Sequence, residues 1–212
     1  MGQHGFKPVL MAVLALAATG ACAQPRDPFG EPELSFRVLL GSLDGEESPT
    51  GLRNDSPRFT VGLSASSPVA LDGLLAANLE LWLSERSYDT PALPPTLDTA
   101  SNTTELTVAA ITYGLRLQPP RGALRPYAMA AVGFQGSRLR TSGTAGGVPR
   151  TVEEETASPT AHLGVGVEWI VGRDSFGIDY RRWFTEGEFR DFGIDDTGLG
   201  GDYLGLSLGT RW

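Results

Sequence analysis

The sequence predicts an all-β protein, an eight-stranded antiparallel up-and-down transmembrane β-barrel preceded by a cleaved signal peptide. Residues 202–212 alternate large apolar side chains with small or polar ones and end on an aromatic residue. Seven further segments alternate in the same way, and the connections between them are alternately long and short. Alternation puts the two kinds of side chain on opposite faces of a strand, as a barrel with lipid outside and polar residues inside requires.

The final segment shows this pattern clearly. Leu204, Leu206, Leu208 and Trp212 share one face, and glycine, serine, tyrosine and arginine occupy the other. A strand tilted at about 45° crosses a bilayer in roughly nine to eleven residues, which fits this length. A soluble amphipathic strand is the alternative interpretation of this segment taken alone.

Residues 1–23 are predicted to be an export signal. Lys7 precedes an apolar run that ends near Ala18, too short to span a membrane as a helix. Ala21-Cys22-Ala23 fits the A-x-A cleavage pattern, so we expect the mature chain to begin at Gln24. The alternative is a lipoprotein signal with Cys22 acylated. Thr19 stands where that signal has an aliphatic residue, which favours ordinary cleavage.

The composition of the expected mature chain excludes several classes of protein. It has 16 arginines against 25 aspartates and glutamates, a formal charge of −9, which argues against nucleic-acid binding. It has no cysteine, hence no disulfide and no thiolate metal site. We expect a short periplasmic lead-in over residues 24–32 and one barrel domain over residues 33–212.

The first four predicted strands span residues 33–43, 58–66, 74–85 and 103–117. Each alternates along its whole length, with these outward residues as examples: Phe36 and Val38, Phe59 and Val61, Leu79 and Leu81, Ile111 and Tyr113. The leucines of the third segment would also suit a helix. Its strict alternation with Asn78 and Glu80 favours a strand.

The last four predicted strands span residues 124–137, 160–171, 175–184 and 202–212. Short turns are predicted at residues 68–73 and 118–122 and at Arg173-Asp174. Stretches rich in glycine, proline and acid predict long loops at residues 44–57, 87–102, 141–159 and 185–201. Short turns inside and long loops outside are typical of porin-type barrels, so we expect periplasmic termini and extracellular long loops.

The barrel is predicted to close by pairing its eighth strand with its first, because lipid offers no partner to an open sheet edge. An eight-stranded barrel has an interior just wide enough for its own side chains. Four arginines and three carboxylates are expected inside, and we predict a paired charge network that plugs the lumen. Its members are Arg37, Glu80, Arg116, Glu168, Asp179, Arg181 and Arg211.

Two carboxylates of this network are predicted to lie side by side. With Arg173-Asp174 as a two-residue turn, the register places Glu168 directly across from Asp179. Adjacent buried carboxylates can do acid–base work. The simpler interpretation is that nearby arginines clamp them, which the network favours. No histidine or carboxylate cluster has metal-ligand spacing, so we expect no metal and no cofactor.

The eight strands, the segment Pro126-Tyr-Ala-Met-Ala-Ala-Val-Gly-Phe134, the hairpin that runs from Gly164 through Tyr180 and the terminal Trp212 carry a likeness. Over residues 33–212 the chain resembles the bacterial outer-membrane β-barrel domain family, which includes the outer membrane protein A transmembrane domain. The resemblance implies that the ending Leu204, Leu206, Leu208 and Trp212 is an assembly signal read by the barrel-assembly machinery. Aromatic belts at the lipid boundary are predicted from Tyr113, Trp169, Tyr180 and Trp212.

We therefore expect a monomeric, non-enzymatic outer-membrane protein, surrounded by outer-membrane lipid, with a structural or surface-interaction role. One alternative is a minor pore or a carrier of small hydrophobic compounds. A lipid-modifying barrel enzyme is a second alternative. Deacylases of this shape have a serine two residues after the histidine, whereas His162 is followed at that spacing by Gly164. A soluble lipocalin-like binder is the third alternative.

Overall fold

The computed structural model describes residues 34–44, 58–88, 94, 96–192 and 194–211. The predicted signal peptide, the lead-in and Trp212 lie outside these residues. The described strands are β1 (Ser35–Asp44), β2 (Arg58–Ala70), β3 (Leu75–Tyr88), β4 (Thr99–Leu117), β5 (Leu124–Ala145), β6 (Val148–Val171), β7 (Asp174–Phe189), β8 (Ile194–Gly198) and β9 (Gly201–Arg211). In this part of the chain no helix is long and apolar enough to cross a membrane.

Eight of these strands close into a ring of antiparallel neighbours. β1 pairs with β2 on one side and with β9 on the other, where Ser35 faces Arg211 and Asp44 faces Asp202. The predicted eight-stranded up-and-down barrel and its closure by the last strand are confirmed. β8 pairs only with the end of β7 and lies outside the ring. Closure removes both sheet edges, which a barrel in lipid requires.

One predicted loop is wrong. Residues 141–159 continue β5 and β6 as a long hairpin whose turn is Gly146-Gly147. These glycines have φ of +57° and +77°, the left-handed values that a tight type I′ hairpin turn needs at both positions. Glycine, proline and acidic residues suggested a loop, whereas the alternating threonine and valine side chains continue the strand. Similarly, β7 extends to Phe189 and β8 forms within the predicted loop 185–201.

We call the end that carries Ser35, Arg211 and the turns at residues 71–74, 118–123 and 172–173 the turn end, and the opposite end the loop end. Between them, apolar side chains on the outer surface form a belt around the barrel. Members from seven strands are Val38, Leu63, Leu79, Ile111, Val132, Val165, Ile178 and Leu206, all exposed.

Toward the loop end the polarity of the strands inverts. The outward positions become charged, as at Glu85, Arg138 and Glu155. The inward positions become apolar, and a buried cluster fills the ring; it contains Tyr88, Leu106, Val108, Leu139, Phe189, Phe192 and Leu199. We call the outward apolar part the belt section and this part the projecting section, which comprises residues 99–107, 138–157 and 185–199.

Candidate functional site: the barrel interior

The candidate site is the polar interior of the belt section. Every second residue of a strand points inward, so the alternation that exposes the belt also fixes which side chains share the interior. All seven predicted network residues are buried there. Glycines at inward positions give them room: a Cβ on Gly62 would lie 2.7 Å from the Trp82 ring, and one on Gly209 would lie 2.6 Å from the Arg37 side chain.

At the turn end three arginines surround one carboxylate. Arg116 donates to Glu168 over 2.8 Å, and the Arg211 guanidinium lies 3.4 Å from the same carboxylate oxygen. The Arg116 guanidinium also stacks 3.7 Å above the centre of the Tyr127 ring. Arg37 donates only to the Ser64 hydroxyl, over 3.1 Å, although it is buried.

Deeper in the barrel, Arg181 joins the other two carboxylates. It donates to Glu80 and, over 3.2 Å, to Asp179. Asp179 also accepts a hydrogen bond from the Tyr127 hydroxyl. Glu80 lies 3.1 Å from His162 Nε2 and accepts from the Trp82 indole over 3.2 Å. Each buried charge in this group therefore has an opposite partner, which buried ions require.

The predicted pairing of Glu168 with Asp179 is wrong. The hairpin turn is Gly172-Arg173, with Val171 facing Asp174, so Glu168 faces Gly177 and Asp179 faces Gly166. Gly172 has a φ of +64°, which suits the first position of a tight hairpin turn. The register slips by two positions, so both carboxylates still point inward. They join different arginine groups, and the proposed dyad has no geometric basis.

An aromatic layer separates the charged interior from the apolar cluster. Trp82 makes edge-to-face contacts with Trp183 and Tyr203, at ring-centre distances of 5.4 and 5.2 Å. The His162 ring lies 4.4 Å from the Trp183 ring. This layer leaves the charged groups no direct path to the loop end through apolar side chains.

Three of the four predicted belt aromatics lie on the outer surface: Tyr113, Trp169 and Tyr180 are exposed. Trp212 is outside the described residues, and Leu204, Leu206 and Leu208 are exposed on the outer face of β9. Tyr180 donates to Asp202 over 2.7 Å, and Arg182 pairs with the same carboxylate over 2.6 Å. This polar group marks one border of the belt; the roles assigned to these residues in the interface and in assembly stay predictions.

The sequence reasoning missed the residues that hold the projecting section. Glu154 accepts hydrogen bonds from the backbone N–H groups of Arg190 and Asp191, over 2.7 and 2.8 Å. On the outer face, Arg138 pairs with Glu155 over 2.6 Å, and this hydrogen bond raises the pKa of the Arg138 guanidinium. The available signal was the alternation of valine, threonine and glutamate after Gly147.

The interior holds few of the elements that catalysis needs. No group of three histidine, cysteine or acidic side chains that could hold a metal occurs in the described residues. His162 is buried between Glu80, Thr112 and Trp183, and Gly164, two residues on, brings no nucleophile. The arrangement is suited to neutralising buried charge and filling space.

No protein-family model matches the sequence, and no curated protein matches it. Solved structures do share its fold. The structure of Neisserial surface protein A matches with a TM-score of 0.53 and 10% identity, over 84% of this chain and 96% of that chain. A major outer membrane protein from Thermus thermophilus matches with a TM-score of 0.53 and 11% identity, over 84% of this chain and 99% of that chain. The chain therefore has the fold of the eight-stranded outer-membrane β-barrels.

Proposed function

We propose that this protein is a small, closed barrel of the bacterial outer membrane with a structural or surface-interaction role. The observation that carries the proposal is the exposed apolar belt on a closed ring of strands. Water would penalise such a belt, whereas lipid accommodates it. The two solved neighbours are a surface protein and an outer membrane protein, which supports the same location.

The filled interior supports a closed barrel rather than a pore. Paired charges, the aromatic layer and the apolar cluster follow one another from the turn end to the loop end. A permeating ion would have to displace two hydrophobic layers. We accordingly expect no stable conductance in planar bilayers, and no enzymatic activity.

The projecting section supports the surface role. Among the described strands, none pairs with β6 on its second side between Val148 and Pro159, so about 40 Å of strand edge is open. Pro149, Pro159 and the outward Glu153 and Glu155 protect this edge, as prolines and charges do on natural edge strands. Such an edge stays soluble while remaining available for contact with another surface.

Orientation is tested by protease access in intact cells. We expect a cleavage site inserted between Gly146 and Gly147 to be cut, because the projecting section faces outward. The matched control is the same insertion between Gly172 and Arg173 at the turn end, which stays intact until the cells are broken. Folded protein is followed by heat-modifiable migration on gels. Cleavage only at the turn end would reverse the orientation, and recovery as a detergent-free soluble monomer would exclude the membrane location.

A further inference from the structure

The charged interior is not balanced. Four buried arginines face three buried carboxylates, and the histidine among them, His162, is neutral unless protonated. The deeper group pairs Arg181 with two carboxylates. The turn end therefore holds the remaining three arginines, Arg37, Arg116 and Arg211, against Glu168 alone.

Arg37 carries the unbalanced charge. Within the described part of the chain no carboxylate lies within 4.0 Å of it, and two of its guanidinium nitrogens, Nε and one terminal nitrogen, have no hydrogen-bond partner. It is only 2% exposed. A buried charge without a partner is costly, so an unpaired guanidinium indicates that a counter-charge is missing nearby.

A cavity opens at this position. It lies at the turn end, between β1, β2, the β4–β5 turn and the end of β6, and its polar lining includes Ser35, Ser66, Arg125, Glu168 and Arg211. Ser35 precedes Arg37 by one inward position on β1. The cavity offers about 30 Å³ to the centre of a water-sized group, more than the roughly 10–15 Å³ that one water needs.

We propose that this cavity binds a small oxyanion. Arg211 and Arg125 can donate charge-assisted hydrogen bonds, and the Ser35 and Ser66 hydroxyls, 2.7 Å apart, can donate to a further oxygen. The positive field of Arg37 and Arg116 lies directly behind. Guanidinium groups suit carboxylate and phosphate oxygens geometrically, and a cation would meet net repulsion at this site.

Two sources supply this chemistry. One is a free anion such as phosphate. The other is the carboxylate of Glu33, two positions before Ser35 in the sequence. The site depends on the interior geometry and not on the surface role, so failure of anion binding would leave the proposed function intact.

The experiment titrates inorganic phosphate into the folded full-length mature chain in phospholipid vesicles, replacing sodium chloride at constant ionic strength. Binding is read from phosphorus NMR line broadening and from the urea midpoint of unfolding. We expect saturable binding that is about tenfold weaker in Arg125→Gln and in Arg211→Gln, because each removes a charge-assisted donor. Arg125 is at the rim of the cavity, so its variant keeps the test valid if Arg211→Gln fails to fold.

Glu168→Gln gives the opposite sign. It removes the only carboxylate that competes for these arginines among the described residues, so phosphate is expected to bind more tightly. Arg138→Gln, which changes an arginine of the projecting section, is the matched control and should leave binding unchanged.

Glu33→Gln distinguishes the two sources. Phosphate binding by the wild type supports a free anion, and binding that appears only in Glu33→Gln, with the same arginine dependence, supports the internal carboxylate. The proposal is overturned if neither chain binds phosphate. It is also overturned if binding persists in both arginine variants, is lost equally in Arg138→Gln, or weakens in Glu168→Gln.

Discussion

The belt section and the projecting section consist of the same strands with opposite polarity. In the belt section leucine and isoleucine face out while arginine and glutamate face in. In the projecting section Arg138 and Glu155 face out while Leu139 and Phe189 face in. The backbone pairing continues through both, as in β5 and β6. The surrounding medium, rather than the strand, decides which face is apolar.

The physical reason is the difference in driving force. In water, burying apolar surface stabilises the fold, so the projecting section needs an apolar core. In lipid, apolar side chains gain little by turning inward, and the interior is free to hold polar groups provided that they are paired. Three predictions test whether the two sections obey these different rules.

The largest effect is expected for a buried ion pair against an exposed one. Arg181→Met leaves Glu80 and Asp179 without their cation and is expected to cost about 3–5 kcal/mol of unfolding free energy. Arg138→Met breaks an exposed pair with Glu155 and should cost roughly 0–1 kcal/mol. Urea unfolding in phospholipid vesicles measures both. Equal costs would mean that the interior of the belt section is as wet as the outer surface.

A charge on the outer face is the second test. Leu206→Arg places a cation in the middle of the belt and is expected to cost about 2–4 kcal/mol in vesicles. Thr151→Arg is the control, because the same side chain then lies on the water-exposed face of β6 and should change stability by about 0.5 kcal/mol or less. If the two variants unfold at the same urea concentration, the belt does not contact lipid.

The smallest effect concerns how the projecting section holds its loop. Glu154→Gln weakens the two charge-assisted hydrogen bonds to the backbone N–H groups of Arg190 and Asp191, at a cost of about 1 kcal/mol. Amide hydrogen exchange at residues 190 and 191 should accelerate roughly fivefold, with β9 amides unaffected. Glu155→Gln, whose side chain is on the outer face, is the control. Faster exchange throughout the barrel would show that the two sections open together.

Much of the barrel could be predicted because alternation is a local property. Residues 202–212 alone indicated strand, sidedness and length, and the parity of each strand identified which charges face inward. The hairpin turns could not be located as well. At Gly172-Arg173 and at Gly146-Gly147 the composition marked a turn region, but the register depends on which residue takes positive φ.

The sequence by itself determined the closed antiparallel barrel and the inward set of charges, because a period of two is written residue by residue and needs no distant contact. Only the tertiary structure decided which arginine meets which carboxylate. Arg116 and Glu168 are 52 positions apart, and Arg181 and Glu80 are 101 apart. Such pairs depend on register and on how the strands cross the interior, and these arise when the ring closes. The unpaired Arg37 became visible only there.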